Sequence, residues 1–449
     1  MEFERERHAI VLGAGVAGLL AARVLTDFYG RVTVVDRDPL DGPPAGRRGV
    51  PQGGHSHDAL ARGHQIMEEL FPGLGAELVA AGAPLGDIAR DARWIVGGRT
   101  LSRSESGLTT VTCTRPFREY HLRRRLAALP GVELCGGTSV VRPAVDPERR
   151  AVTGVVVLRD GVERTLDADL VVDATGRGSR TPVWLEELGL PRVTEERHKI
   201  DIGYVTCFYR TQPEAFDGDI SINTVASPEV PRGASCARVE GGRTVVTAYG
   251  VLGDHPPVDH EGFLDFVKSL QAPDAHEVLQ EAELLTAPAR YRFPTNLRRR
   301  YERLADFPAG LLVLGDAVAS VNPRYGQGMT IAALEALVLR GHLAGTAGAP
   351  DGLGFFRELA DQVIDDVWEM TLISDLSIPG VEGERTPEVL AAHEVVGRAQ
   401  AAAAHDSTVA LACLRLFGLI DPFTALLEPP VLERVGKVLA AAGGRPPGI

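Results

Sequence analysis

The chain has 449 residues, 47 Lys+Arg against 60 Asp+Glu, and a formal net charge of −13. That length allows about three domains' worth of chain, and 44% hydrophobic with 24% charged residues excludes disorder throughout. The acidic balance excludes a nucleic-acid backbone as the expected partner, because phosphate binding needs clustered Lys and Arg.

His8 to Leu12 is an apolar run ending in Gly13, the pattern of a buried parallel strand. Val16 to Leu25 reads as a helix and Arg31 to Asp36 as a second strand. Ala9 to Ala22 contains regularly placed glycines and follows no cationic stretch, so it is read as this strand and helix rather than a secretory signal. Arg37 to His57 is a Pro-, Gly- and Arg-rich loop, long enough to be functional or mobile. Asp58 to Leu70 is helical by pattern, and Arg93 to Cys113 reads as a hairpin about Gly97-Gly98. Arg118 to Leu129 reads as a helix. Residues around Glu133, Val140 and Val152 to Leu158 read as strands, with a turn at Asp160-Gly161. Leu170 to Asp173 and Leu311 to Leu314 are buried and parallel in character; Ile200 to Arg210 and Thr244 to Gly250 alternate like half-exposed strands. Met329 to Leu343 is helical, and from Leu353 the pattern is Ala-rich helix broken by prolines.

Gly13-Ala14-Gly15-Val16-Ala17-Gly18 matches G-x-G-x-x-G between that strand and that helix. Gly13 allows the tight turn, Gly15 lets the backbone approach a pyrophosphate, and Gly18 lets the helix pack on the strand. The helix N-terminus favours phosphate. Asp36, with Arg37 beside it, ends the second strand where an acid can accept from ribose hydroxyls. This predicts dinucleotide binding without distinguishing FAD from NAD.

Leu311 to Thr330 reads LLVLGDAVASVNPRYGQGMT. This resembles the flavin-contacting motif of the FAD-dependent aromatic hydroxylases, the superfamily typified by para-hydroxybenzoate hydroxylase. The resemblance implies that Asp316 bonds the ribityl chain, that Pro323 lies near the flavin ring, and that the backbone of Gly326, Gln327, Gly328 and Met329 faces its pyrimidine. Asp173-Ala174-Thr175-Gly176-Arg177-Gly178-Ser179-Arg180 resembles the superfamily's middle motif, with the match of Asp173 looser than that of Asp316. One Arg of the helix after Arg115-Pro116 reaches FAD in relatives; Arg115 and Arg123 are favoured, an exposed basic helix face being the alternative. Gly49 to His57 (GVPQGGHSH) resembles a segment of bacterial flavin epoxidases from polyether antibiotic pathways. The His55/His57 pair has no further ligands at a known spacing, so no metal is expected.

These readings predict an α/β fold: a Rossmann-like three-layer FAD-binding domain, an inserted β-rich substrate domain and a helical C-terminal segment. The expected boundaries are 1–90, 114–195 and 295–350 for the first, 91–113 and 196–294 for the second, and 351–449 for the cap. The resemblance implies an FAD monooxygenase that uses NAD(P)H as a transient electron donor, and dioxygen via a flavin hydroperoxide. It would epoxidise or hydroxylate an apolar polyene or aromatic of polyketide or terpenoid type. The absence of a second G-x-G-x-x-G agrees with a donor that binds transiently. The catalytic residues stay unnamed, since the flavin carries the chemistry. An alternative is a non-redox [4+2] cyclase of a polyene with structural FAD. A flavin halogenase fits poorly: Trp94, Trp184 and Trp368 are far apart, and the lysines are only Lys199, Lys268 and Lys437. Five cysteines without a C-x-x-C pair, and no apolar run of about 18 residues, lead to the expectation of a cytoplasmic protein with no transmembrane segment. Tyr204, Phe208, Asn223 and Tyr249 lie on strands that could line the substrate cavity, and Phe355, Phe356, Trp368, Leu416 and Phe417 could do so from the cap or pack as ordinary core.

Overall fold

The computed structural model describes residues 7–443 apart from Pro147 and Arg149. Residues 1–6 and 444–449, which include the outermost ends of the expected first domain and cap, lie outside the described residues.

A five-stranded parallel sheet forms from segments far apart in sequence, in the order Leu311–Val313, Leu170–Asp173, His8–Leu12, Arg31–Val35, Val132–Cys135. Its three inner strands read as near-continuous apolar runs because both faces are covered. On one face the helix Val16–Leu25 packs against Gly328–Gly345 and Arg115–Ala127. On the other lies a three-stranded antiparallel sheet, Ser139–Asp146, Ala151–Arg159 and Val162–Asp167, whose Val155 and Val157 join the same core. This is the expected three-layer arrangement.

A nine-stranded, mostly antiparallel sheet stands over the C-terminal ends of the parallel strands. Its central pairings join Ala289–Arg299, Glu195–Arg210, Arg243–Gly250, Arg232–Val239 and Ser221–Val225. The hairpin Ala92–Val96/Arg99–Thr100 extends it through one parallel pairing with Ser221–Val225. The second half of the segment read as one hairpin departs from it. Thr109–Val111 pairs with Leu85–Asp87 in a separate two-stranded sheet. The helix after the long loop starts at Ala61, three residues beyond the expected Asp58, so Asp58 lies in irregular chain ahead of it. Asp351 onwards is helical: Gly352–Leu359, a π-turn at Ala360–Ile364, Asp365–Leu376, and then Pro387–Ala403, Ser407–Phe417 and Pro429–Ala441. The last three pack together and against Trp94 in their own apolar cluster. No described helix is long and apolar enough to cross a membrane.

Candidate functional site

One cavity of about 1020 Å³ runs from the glycine loop to the face of the nine-stranded sheet. One end of it is made by two helix starts. Val16–Leu25 and Gly328–Gly345 both begin without a side-chain cap, at Gly15 and Gln327, so their first-turn N–H groups are free for a ligand. Gly13 holds a φ of +96° and lies against Ala174, where a Cβ would sit 2.7 Å from the Ala174 carbonyl oxygen. A Cβ on Gly18 would stand 1.9 Å from the Gly13 carbonyl oxygen, so Gly18 is a packing residue behind the cavity wall. Gly15 differs: a Cβ there meets only Arg115 Nη2, at 3.6 Å, and enters the cavity.

The charges at this end form one buried network. Asp36 accepts from the backbone N–H of Ala14 at 2.7 Å and of Asp38 at 2.8 Å, which locks the glycine loop to the second strand. Arg47, from the long loop, donates to Asp36 Oδ2 at 2.9 Å, Glu119 Oε2 at 2.7 Å and the Ala14 carbonyl at 2.8 Å. Arg115 Nε donates to Glu119 Oε1 at 2.9 Å, and Arg123 Nη1 lies 3.9 Å from Glu119 Oε2. Three guanidiniums thus share two carboxylates, leaving positive charge to spare. Burial and the neighbouring Arg47 lower the Arg123 pKa, so an anion there relieves the crowding.

Asp316 follows the strand Leu311–Val313 and lines the cavity. Burial raises its pKa, while Arg115 and Arg177 pull the other way. Behind it, buried Glu335 accepts from the Gly315 backbone N–H, and burial pushes its carboxyl up to about 8. Asn322 accepts from the Arg324 N–H at 3.1 Å, shaping the turn Pro323–Tyr325. Asp375, from the helix Asp365–Leu376, accepts from Asn296 at 2.7 Å, Asn322 at 2.7 Å and Tyr325 at 2.9 Å.

Of the residues singled out in the sequence, Gly13, Gly15, Asp36, Arg37, Arg115, Asp316, Pro323, Gly326, Gly328 and Met329 meet on this cavity. Gly18, Arg123 and Gln327 do not line it; Gln327 is buried and donates to the Phe417 carbonyl at 3.1 Å. Asp173 is fully buried and accepts from Thr175, Ser179 and Thr181, so it organises its own loop. Arg47, Glu119, Glu335 and Asp375 were not picked out. Glu119 had a signal: it stands four residues from both Arg115 and Arg123, where one acid can serve two basic neighbours on a helix.

At the other end, Tyr204, Asn223 and Tyr249 line the cavity with Trp94 and Phe417, whose rings meet at 5.1 Å. Phe208 shares a strand face with Tyr204 but lies further along it, under Arg243. Phe355 and Phe356 belong to the main core. His55 is buried, with Nδ1 2.7 Å from Thr206 Oγ1 and its ring edge-on to Tyr204. Burial pushes His55 down to about 4 and His57 to about 3, so both are neutral near pH 7. The described residues hold no group of three or more metal-ligating side chains.

The residues present fit FAD. The open Cβ position at Gly15, the two uncapped helix starts and the surplus of guanidinium charge suit a pyrophosphate and a flavin ring in one groove.

The comparisons agree. Residues 6–350 match the family described as FAD binding domain. Protein Rv3254 of Mycobacterium tuberculosis is 35% identical over 443 residues, covering 95% of this chain and 92% of its own length. The p-nitrophenol 4-monooxygenase PnpA from Pseudomonas putida DLL-E4 shares the fold with a TM-score of 0.63 at 16% identity, over 94% of this chain and 98% of that one. The flavin-dependent brominase Bmp2 does so with a TM-score of 0.62 at 14% identity, over 97% and 98%. The chain therefore belongs to the FAD binding domain family, within the para-hydroxybenzoate hydroxylase-like flavin monooxygenase superfamily, and is a flavoprotein oxidoreductase with FAD as its cofactor.

Proposed function

We propose that this protein is a monooxygenase that uses NAD(P)H and dioxygen to epoxidise or hydroxylate a small molecule of polyketide or terpenoid type. The observation that carries the reading is one continuous cavity, which joins the FAD cradle to an aromatic-lined chamber under the nine-stranded sheet. When bound, FAD supplies the redox chemistry, taking a hydride from the donor and activating dioxygen for transfer.

The chain's own part is to hold and to exclude. Arg47, Arg115 and Arg123 would set the positive field for the phosphates, Asp36 holds the glycine loop, and Asp316 would bond the ribityl chain. Pro323 and the backbone from Gly326 to Met329 would flank the flavin ring, and the helix dipole at Gly328 would favour negative charge on it. Trp94, Tyr204, Tyr249 and Phe417 position the substrate and keep water away. In this reading residues 91–113 and 196–294 form the substrate domain, and 1–90, 114–195 and 295–350 the FAD-binding domain. The GVPQGGHSH loop, tied to that sheet by His55 and Thr206, supports kinship with the polyether-pathway epoxidases. A halogenase role is disfavoured, because Lys199, Lys268 and Lys437 are all exposed and none lines the cavity.

The test is an anaerobic titration of the yellow protein with NADH and then NADPH, with and without candidate polyenes and aromatics, followed by flavin absorbance. Bleaching, recovery in air and incorporation of isotope from labelled dioxygen are expected. Conversion of a polyene while the flavin stays oxidised throughout would replace the monooxygenase with a non-redox cyclase.

A further inference from the structure

We propose that Asp58 is the substrate-facing base of this cavity, and that the substrate presents to it the hydroxyl of a phenol or enol. The inference rests on the monooxygenase reading and narrows it from alkenes in general to ionisable aromatic or enolic rings.

Three carboxylates line the cavity: Asp36, Asp58 and Asp316. Asp36 is taken up by two backbone N–H groups and Arg47. Asp316 belongs to the cofactor end, between Arg115 and Arg177. Asp58 has no such partner: among the described residues no donor lies within hydrogen-bond distance of its carboxylate and no cation within ion-pair distance. A half-buried carboxylate without donors calls for a ligand to supply one. Its position is set by the next residue, since Thr110 Oγ1 donates to the Ala59 carbonyl at 2.6 Å. That bond holds the segment beside the strand Thr109–Val111. Thr112, just beyond, lines the same cavity and carries a buried hydroxyl without a partner among the described residues.

The charged and titratable groups facing Asp58 are Arg118, Glu240 and Cys113, and His57 precedes it in the chain. Arg118, fully buried on the helix Arg115–Ala127, donates to the Val111 carbonyl at 2.6 Å and favours the carboxylate from a distance. Glu240, held by Thr114 and Arg243, opposes it. Cys113 is pushed up to about 12 and His57 down to about 3, so both are neutral. Burial outweighs Arg118 and pushes Asp58 up to about 6. The group is therefore ionised at neutral pH and a stronger base than an exposed aspartate.

The step is a proton transfer. The substrate O–H bond breaks, its electron pair stays on the substrate oxygen, and the proton joins an Asp58 carboxylate oxygen. Nothing is oxidised or reduced in it. The resulting oxyanion raises electron density at the ring carbons that receive oxygen, which an isolated alkene does not require.

The experiment uses the flavin-loaded enzyme with naphthol and its methyl ether as probes, read by perturbation of flavin absorbance, alongside Asp58→Asn and Asp58→Glu. At pH 8 the wild type is expected to bind naphthol at least about tenfold more tightly than the ether, through a charge-assisted hydrogen bond. The preference should fall as pH drops through about 6. Asp58→Asn should lose both the preference and its pH dependence, and Asp58→Glu should keep part of each, while flavin content and melting temperature stay at wild-type values. Equal binding of the two probes, or none, overturns the proposal, as does an intact preference in Asp58→Asn. Loss of flavin from that variant also overturns it, by placing Asp58 at the cofactor. NAD(P)H oxidation is followed in the same samples. A naphthol preference, together with polyene conversion while the flavin stays oxidised in the titration above, would refute the redox reading and leave hydroxyl recognition by Asp58 standing.

Discussion

The Asn322 side-chain amide donates to Asp375 Oδ1 over 2.7 Å, with both residues buried to within 2% of their surface. This bond joins the turn in front of the Gly328–Gly345 helix to the helix Asp365–Leu376. The same carboxylate takes donors from Asn296 and Tyr325, so sheet, turn and C-terminal helix meet on one side chain. The C-terminal segment therefore supports the shape of the flavin-facing turn as well as covering the sheet.

Asp375→Ala leaves two buried amides and a phenol without their acceptor, and should cost about 3 kcal/mol or more of stability. The measurements are thermal melting and flavin retention on ultrafiltration. Melting at the wild-type temperature with full flavin content would show that the turn is held by other means.

Gly15 and Gly18 should respond in opposite ways. Gly15→Val projects into open cavity beside Arg115, so the protein is expected to fold and to purify colourless. Gly18→Ala places a methyl 1.9 Å from a backbone oxygen and should impair folding itself. Circular dichroism and flavin absorbance on the two variants separate these results. A yellow Gly15→Val protein would remove the pyrophosphate from this loop.

Asp316→Ala should weaken FAD binding by about tenfold to a hundredfold, the range for a lost hydrogen bond to a charged group. The fold should be kept, because no hydrogen bond within the described chain depends on that carboxylate. Titration of the stripped protein with FAD, followed by flavin fluorescence, gives the ratio. Undiminished affinity would count against the ribityl assignment.

Glu335 predicts a pH dependence of stability. Its carboxyl is raised from the ordinary 4.5 to about 8 by burial. The folded state keeps a proton that the unfolded chain releases above about pH 4.5. The associated stability is whole below that pH, declines as pH rises, and is lost once pH passes about 8. Glu335→Gln should flatten melting temperature against pH across this window, gaining on the wild type toward pH 8. Parallel curves for the two proteins would show that Glu335 does not titrate there.

Much of the fold was legible because its signals are local. The helix Val16–Leu25 and the strand Leu170–Asp173 lie where the sequence pattern placed them, since buried parallel strands and glycine-started helices declare themselves within a few residues. The helix expected from Asp58 was misplaced at its start. Asp58 to Leu60 continue the apolar-polar pattern, but Thr110 takes the Ala59 carbonyl and the chain there is not helical. Thr109–Val111 left the expected hairpin because Leu85–Asp87, unmarked by any strong pattern, offered it a separate partner.

The amino-acid sequence by itself determined the dinucleotide loop, the flavin-type turn and the family, because phosphates and flavin are held largely by backbone N–H groups at helix starts, and short glycine-rich motifs specify those starts. Only the tertiary structure decided which side chains share the cavity. Arg47 meets Glu119 across 72 residues, Asn322 meets Asp375 across 53, and Asp58 is left facing the cavity with no donor among the described residues. Such relationships depend on how distant segments pack, and spacing along the chain carries no record of them.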